Sequence, residues 1–296
     1  MNSKTNISKN MVDERFECLS VVFRLAGSPD YDCLSTDYQR EVAEKFAEFR
    51  EHPAVKLAES FDNIAHDAVF KFAVHIEKKD GKFVFIEDIK SLFDEGIWND
   101  EDGNGRWNET VAKKFLQLFN DFYVDTNYAE YFNSKITFFE EATQTLINGF
   151  YGSVNFEWFA KYVDISNLRC IYSPSSGNYG ATVNEKIIYC CVFFSRDISM
   201  IHEYCHNFAN KIAEKWYIEK QEFKELCDRS VNLEKMPYYG CGELMAYEYV
   251  TRAYTILYFT ENTCHGFSQE ELFLDDEKGG FPDIRKVYDM VLGLEQ

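Results

Sequence analysis

The chain has 296 residues, 46% of them hydrophobic and 17% aromatic, which suits one large or two small folded domains and excludes a disordered chain. Its formal net charge of -19 disfavours nucleic acid as a partner, because phosphate binding needs Lys and Arg to displace counterions. Such a surface aids solubility and would suit basic peptides as ligands. Nine cysteines, an odd number without any CxxC pair, point to free thiols in a reducing compartment. The opening stretch MNSKTNISKNMVDERFECLS has no apolar core of a signal peptide, and no run is long enough to span a membrane. A cytoplasmic location is the expectation.

The first half is expected to be helical. ERFECLSVVFRLAG carries an apolar stripe and stops at Gly27, a C-cap residue. TDYQREVAEKFAEFREH reads as an amphipathic helix ending before Pro53. AVKLAESFDNIAHDAVFKFAVHIEKKDG reads as one broken or two short helices closed by an Asp-Gly turn. NETVAKKFLQLFNDFYVDTN and AEYFNSKITFFEEATQTLINGF are two further helical patterns. DEDGNGRWNETV begins like a calcium loop at Asp100, Asp102, Asn104 and Gly105, but Val111 occupies the position of the bidentate glutamate, so a polar turn is expected.

The pattern changes near residue 168. LRCIYS and KIIYCCVFF read as strands, with the loop PSSGNYGATVNE between them. Helices return in DISMIHEYCHNFANKIAEKWY, GELMAYEYVTRAYTILYFTE and PDIRKVYDMVLG. The expected architecture is α+β, mostly helical, with a small sheet before the histidine-bearing helix. A helical region over residues 1–165 and a catalytic region over 166–296 are expected to form one compact unit.

His202 and His206 stand four apart, so on a helix both imidazoles leave one face, one turn apart, and can reach one tetrahedral zinc. Glu203, next to the first histidine, is placed to accept a proton from water at such a metal. Ile198, Ile201, Cys205, Phe208, Ile212 and Trp216 recur at helical spacing as the buried stripe that the histidines border. The competing readings are a chance HExxH and a di-iron centre; the latter needs a second ExxH, and the chain has none.

A catalytic zinc needs a third ligand, and HExxHxxGxxH is absent. Glu243 and Glu248 are the candidates on the later helix; five residues apart, they lie about 140° around it, so both cannot face one metal. Glu243 falls in the first turn, where the helix dipole accounts for a carboxylate. Glu248 falls mid-helix among apolar residues and needs a partner. Glu248 is preferred, with Glu243 in reserve. Arg252, one turn on, would pair with Glu248 or orient it on a metal.

MIHEYCHNFAN followed by EYVTRA resembles a bacterial family of unknown function regarded as gluzincin-type metallopeptidases, whose members carry HEFxHxFxN and then an ExxxRA helix. VVFRLAGSPDY, FREHPAVKLA and SGNYG also look like its motifs, so the resemblance runs from about Val12 onward. It implies a zincin-like fold, one zinc per chain held by His202, His206 and Glu248, Glu203 as general base, and a peptide or protein substrate. Tyr204 and Cys205 at the variable positions and the missing export signal are departures from many relatives.

Further roles are open at this stage. KIIYCCVFF would serve as an edge strand pairing with an extended substrate, or as an ordinary core strand. Tyr238, Tyr239, Tyr254 and His265 are candidate donors to transition-state charge, His265 reading more readily as a loop histidine. Asn210 would hydrogen-bond within the site or cap a helix contact. Cys205 falls on the buried stripe, where a cysteine acts as a small apolar residue rather than a ligand. The alternatives to a peptidase are a non-catalytic binding or regulatory protein of the same fold, for which a closed four-ligand site would speak, and a zinc hydrolase of non-peptide amides.

Overall fold

The computed structural model describes residues 11–32, 34–61, 64, 66–86, 92, 107–149, 151–165, 169–176, 180–184, 187–190, 198–236, 239–262 and 266–295. They form a mostly helical α+β fold. In chain order the elements are α1 (Glu14–Leu25), α2 (Asp37–Lys45), α3 (Pro53–Glu59), α4 (His66–Val74), β1 (Ile76–Lys79), β2 (Lys82–Phe85), α5 (Glu109–Asp125), α6 (Tyr128–Ser134), α7 (Ile136–Asn148), α8 (Phe156–Phe159), β3 (Arg169–Tyr172), β4 (Gly180–Asn184), β5 (Ile187–Cys190), α9 (Ile198–Glu219), α10 (Gln221–Ser230), α11 (Gly242–Glu261), α12 (Gln269–Lys278) and α13 (Ile284–Glu295). Among the described residues no helix is long and apolar enough to cross a membrane.

The chain divides into two compact units. One comprises Asn6–Gly152 with Arg169–Ser195; the other is built chiefly from Ser153–Leu168 and Arg196–Gln296. Each is interrupted in sequence by the other, unlike a single division at residue 165.

In the first unit, α1 ends in a Schellman turn: Gly27 N–H donates to Arg24 O at 3.0 Å and Ser28 N–H to Phe23 O at 3.1 Å, with Gly27 at φ +72°. The helix is buried almost all round, so its polar residues need internal partners. Glu17 accepts from Tyr38 Oη at 3.1 Å, from Ser175 N–H at 3.3 Å and from the Ser173 hydroxyl, while Arg24 donates to Ser175 O at 2.5 Å. These bonds tie residues 173–176 to α1, and Tyr172 N–H donates to Met11 O at 3.0 Å beside them. Aromatic rings fill the rest of this core. Phe16 stacks on Phe70 at 5.2 Å, and Phe72 and Phe115 close on Trp107 at 4.8 and 5.1 Å.

Several boundaries differ from those read in the sequence. The α2 pattern breaks at Phe46 and passes through a 3-10 turn, Ala47–Glu51; His52 then caps α3 and Pro53 opens it, a position where proline's missing N–H costs nothing. The Asp-Gly turn joins two strands rather than ending a helix. Asp80 and Gly81, at φ +51° and +80°, form the two-residue link between β1 and β2, and Asn120 on α5 holds Phe83 of β2 through both backbone atoms, at 2.7 and 2.9 Å. The long pattern 129–150 splits at Lys135 into α6 and α7.

The sheet before the histidine helix has the order β3-β5-β4. β5 runs parallel to β3 and antiparallel to β4, so it is the central strand and both its edges are taken. Of the two readings of KIIYCCVFF, the described part, Ile187–Cys190, is an ordinary core strand and not an edge strand. GATVN, read as part of a loop, is β4.

In the second unit α9 packs on α11, which is buried along nearly its whole circumference. Trp158 and Phe159 of α8 pack on Tyr258 of α11, each at 5.2 Å, and Asn155 N–H donates to Tyr258 Oη at 2.8 Å. α12 begins with a capping box at Ser268 and Glu271. It ends in a second Schellman turn, with Gly280 N–H donating to Glu277 O at 3.4 Å and Phe281 N–H to Asp276 O at 3.0 Å. Gly280 carries φ +109° to make that reversal. α10 and α12 were not recognised in the sequence.

Candidate metal centre

α9 buries Ile201, Tyr204, Cys205, Phe208, Ala209 and Trp216, which turns residues 202, 203, 206 and 210 toward one margin of the stripe. His202 Nε2 and His206 Nε2 stand 3.1 Å apart, with their rings nearly perpendicular. With a carboxylate oxygen of Glu203 they form a part-buried group, all ligand atoms within 4.8 Å of one another, that could hold a metal ion.

α11 adds Glu248. Its Oε2 lies 3.4 Å from His202 Nε2 and its Oε1 lies 3.4 Å from His206 Nε2. The side chains of both histidines are 14% exposed and that of Glu248 10%, so the cluster is close to sealed but reachable by solvent. Glu248 Oε2 is buried without a hydrogen-bond partner in the protein, although Arg252 Nη2 approaches it to 3.3 Å. Glu243 does not join the cluster and accepts instead from Tyr247 Oη at 3.0 Å.

A zinc ion with tetrahedral bonds of about 2.0–2.1 Å separates its ligand atoms by about 3.3 Å. The two imidazole nitrogens, 3.1 Å apart, each have one Glu248 oxygen at 3.4 Å, Oε2 at His202 and Oε1 at His206, distances close to that spacing. Glu248 Oε2, buried and held by ion-pair contacts to Arg252 and His202 but by no hydrogen bond, is a second sign of fit. The electrostatics agree. Burial disfavours the Glu248 carboxylate, yet the charge and hydrogen bonding of His202 and then His206 hold it well below the ordinary range. Burial also works to lower His206, but the hydrogen bond and charge of Glu248, with Glu203 and Asn210 adding to them, push it up to about 9. The centre of the cluster calls for positive charge.

The ring nitrogen of His206 that points away from this cluster is also held. Asn210 Oδ1 lies 2.9 Å from Nδ1, and Thr251 Oγ1 of α11 lies 3.1 Å from it. With Nδ1–H donating there, Nε2 keeps its lone pair for a ligand role. Thr251 carried no signal in the sequence beyond lying three residues after Glu248, nearly one helical turn.

The remaining candidates separate clearly. Arg252 pairs with Glu248 and, through Nη1, with Asp276 Oδ1 at 2.6 Å. Burial works to lower the Arg252 guanidinium, and the charges of Glu248 and Asp276 outweigh it. Tyr239 lies beside this array, 6.2 Å from the Phe281 ring; burial first and the Glu248 charge second raise its phenol well above the ordinary value. Tyr254 turns elsewhere and donates to Glu295 at 3.3 Å. Cys205 is fully buried and hydrogen-bonds Thr255, so it faces the helix packing and not the histidines. Tyr238, His265 and the stretch from Asp100 to Gly105, expected as a polar turn, lie outside the described residues.

Compared with known proteins, the chain matches no family model, no curated protein and no solved structure, so the gluzincin resemblance stands on its motifs alone.

Proposed function

We propose that this chain is a zinc-dependent metallopeptidase of the gluzincin type. The observation that carries the reading is the convergence of His202 Nε2 and His206 Nε2, 3.1 Å apart, on the Glu248 carboxylate, one oxygen 3.4 Å from each, close to the ligand spacing of tetrahedral zinc. His202, His206 and Glu248 would hold the ion, and among the described residues no cysteine or further histidine closes the site. Zinc, when bound, would supply Lewis acidity toward a water molecule and a scissile carbonyl. Glu203, one residue after the first ligand and within reach of both imidazoles, would accept the proton of the attacking water and pass it to the leaving amine. Asn210 and Thr251, both within hydrogen-bond reach of Nδ1, would keep His206 in the ligating tautomer. The motif pair HEYCH and EYVTRA supports peptide bonds as the substrate class.

The test begins with metal analysis of protein purified without added metal. About one zinc per wild-type chain, lost in His206→Ala, is expected. Peptide-library hydrolysis then compares wild type with Glu203→Gln. The variant should keep its zinc and lose at least about a hundredfold in rate. Full activity in Glu203→Gln, or no specific metal in the wild type, ends the reading.

A further inference from the structure

We propose that Asp276 is a positioning residue for the Glu248 carboxylate and acts through Arg252; this rests on the reading of His202, His206 and Glu248 as a metal site. Arg252 follows Glu248 by one turn of α11 and places Nη2 3.3 Å from Glu248 Oε2. A lone Glu–Arg pair at this spacing is loose, because the long arginine chain samples many rotamers. Here the guanidinium has two further restraints. Nη1 donates to Asp276 Oδ1 at 2.6 Å, and the guanidinium carbon sits 4.1 Å above the centre of the Phe281 ring.

Neither restraint belongs to α11. Both come from the end of α12, where the Schellman turn folds Phe281 back so that its N–H meets Asp276 O at 3.0 Å. The turn thus presents a carboxylate and an aromatic face to one guanidinium. With one arm committed to Asp276, Arg252 offers Glu248 its other arm. The contact is made on Oε2, which also lies 3.4 Å from His202, while Oε1 stands 3.4 Å from His206. Released from Asp276, the guanidinium could take both carboxylate oxygens as a fork and draw Glu248 out of the cluster, or swing into solvent. Asp276, by holding Arg252 at Oε2, therefore keeps the carboxylate turned with one oxygen toward each histidine.

The experiment uses cobalt(II) as the probe on the full chain. Its affinity is read by competition with a chelator and its ligand geometry by the visible absorption bands. Asp276→Asn keeps the shape and removes the charge that anchors Arg252. About tenfold weaker cobalt binding and shifted bands are expected, with the melting temperature of the metal-free protein close to wild type. Should that variant fail to fold, Arg252→Lys, which cannot bridge both carboxylates in one plane, carries the same expectation. Wild-type affinity and wild-type bands in the variant overturn the positioning role while leaving the metal site standing. A wild-type chain that takes up neither cobalt nor zinc overturns the metal site and this role together.

Discussion

Thr251 Oγ1 on α11 lies 3.1 Å from His206 Nδ1 on α9, the same ring nitrogen that faces Asn210 Oδ1 at 2.9 Å. One nitrogen is thus held from its own helix and from the neighbouring one. Outer partners of this kind fix a ligand's tautomer and ring plane, and their loss costs about 10–100-fold in metal affinity. Asn210→Ala and Thr251→Val should each weaken zinc about tenfold, and the double variant more, measured by competition with a chromophoric chelator. Unchanged affinity in both would mean that packing alone orients the ring.

Metal removal should lower stability. A ligand at a thousandfold its dissociation constant adds about 4 kcal/mol to a protein that binds it only when folded. Calorimetry with zinc and with chelator should show a melting temperature several degrees higher in zinc. His206→Ala should show no such difference. A zinc-dependent rise of equal size in that variant would place the binding elsewhere.

Glu17 makes the first unit sensitive to pH. Its burial, opposed by hydrogen bonds from Ser173, Ser175 and Tyr38, pushes its carboxyl from the ordinary 4.5 up to about 7. A raised carboxyl means that the folded chain holds the proton longer than the unfolded one. Its contribution is fully present below the unfolded value and is lost as pH rises through about 7. The loss amounts to about 3 kcal/mol, the equivalent of that shift. Denaturant titrations across this window should show a decline in the wild type that is flattened in Glu17→Gln. Parallel curves would count against the assignment.

Gly280 is one place in the second unit that admits glycine alone. Its φ of +109° suits glycine alone, and an added Cβ would meet Met236 Sδ at 2.6 Å. Gly280→Ala should cost roughly 1–3 kcal/mol, read from the melting temperature. It should also disturb the cobalt bands, since Phe281 leans on Arg252. A variant as stable as wild type would show that the turn relaxes freely.

What could be read from the sequence followed from periodicity and from spacing. α9 and α11 are long, and their apolar stripes recur over several turns, so their extent was legible to within a few residues. α10 was not, because it is short and strongly polar; Phe223, Leu226 and Cys227, with Ser230, mark its buried face. The β1–β2 hairpin hid behind lysines on four-residue strands, although its Asp80-Gly81 turn was visible. The centrality of β5 depends on which strands flank it, and strand order is not written in a strand's own residues. At the candidate site the i,i+4 histidines were plain from spacing alone. Asp276 could not be found, since it sits in an acidic run on another helix, and it meets Arg252 only through the packing of α12 on α11.

The interleaving of the two units bears on how the chain is made. Synthesis delivers α8, which belongs to the second unit, before the strands that complete the first. Residues 173–176, which satisfy Glu17 and Arg24, emerge about 150 positions after α1. The N-terminal helices therefore lack the bonds of Glu17 and Arg24 to residues 173–175 until the sheet segment follows, while α8 waits for α11. Ending the chain at residue 165 would leave the first unit without its sheet and the second without its helices, so neither half can be harvested by a single cut.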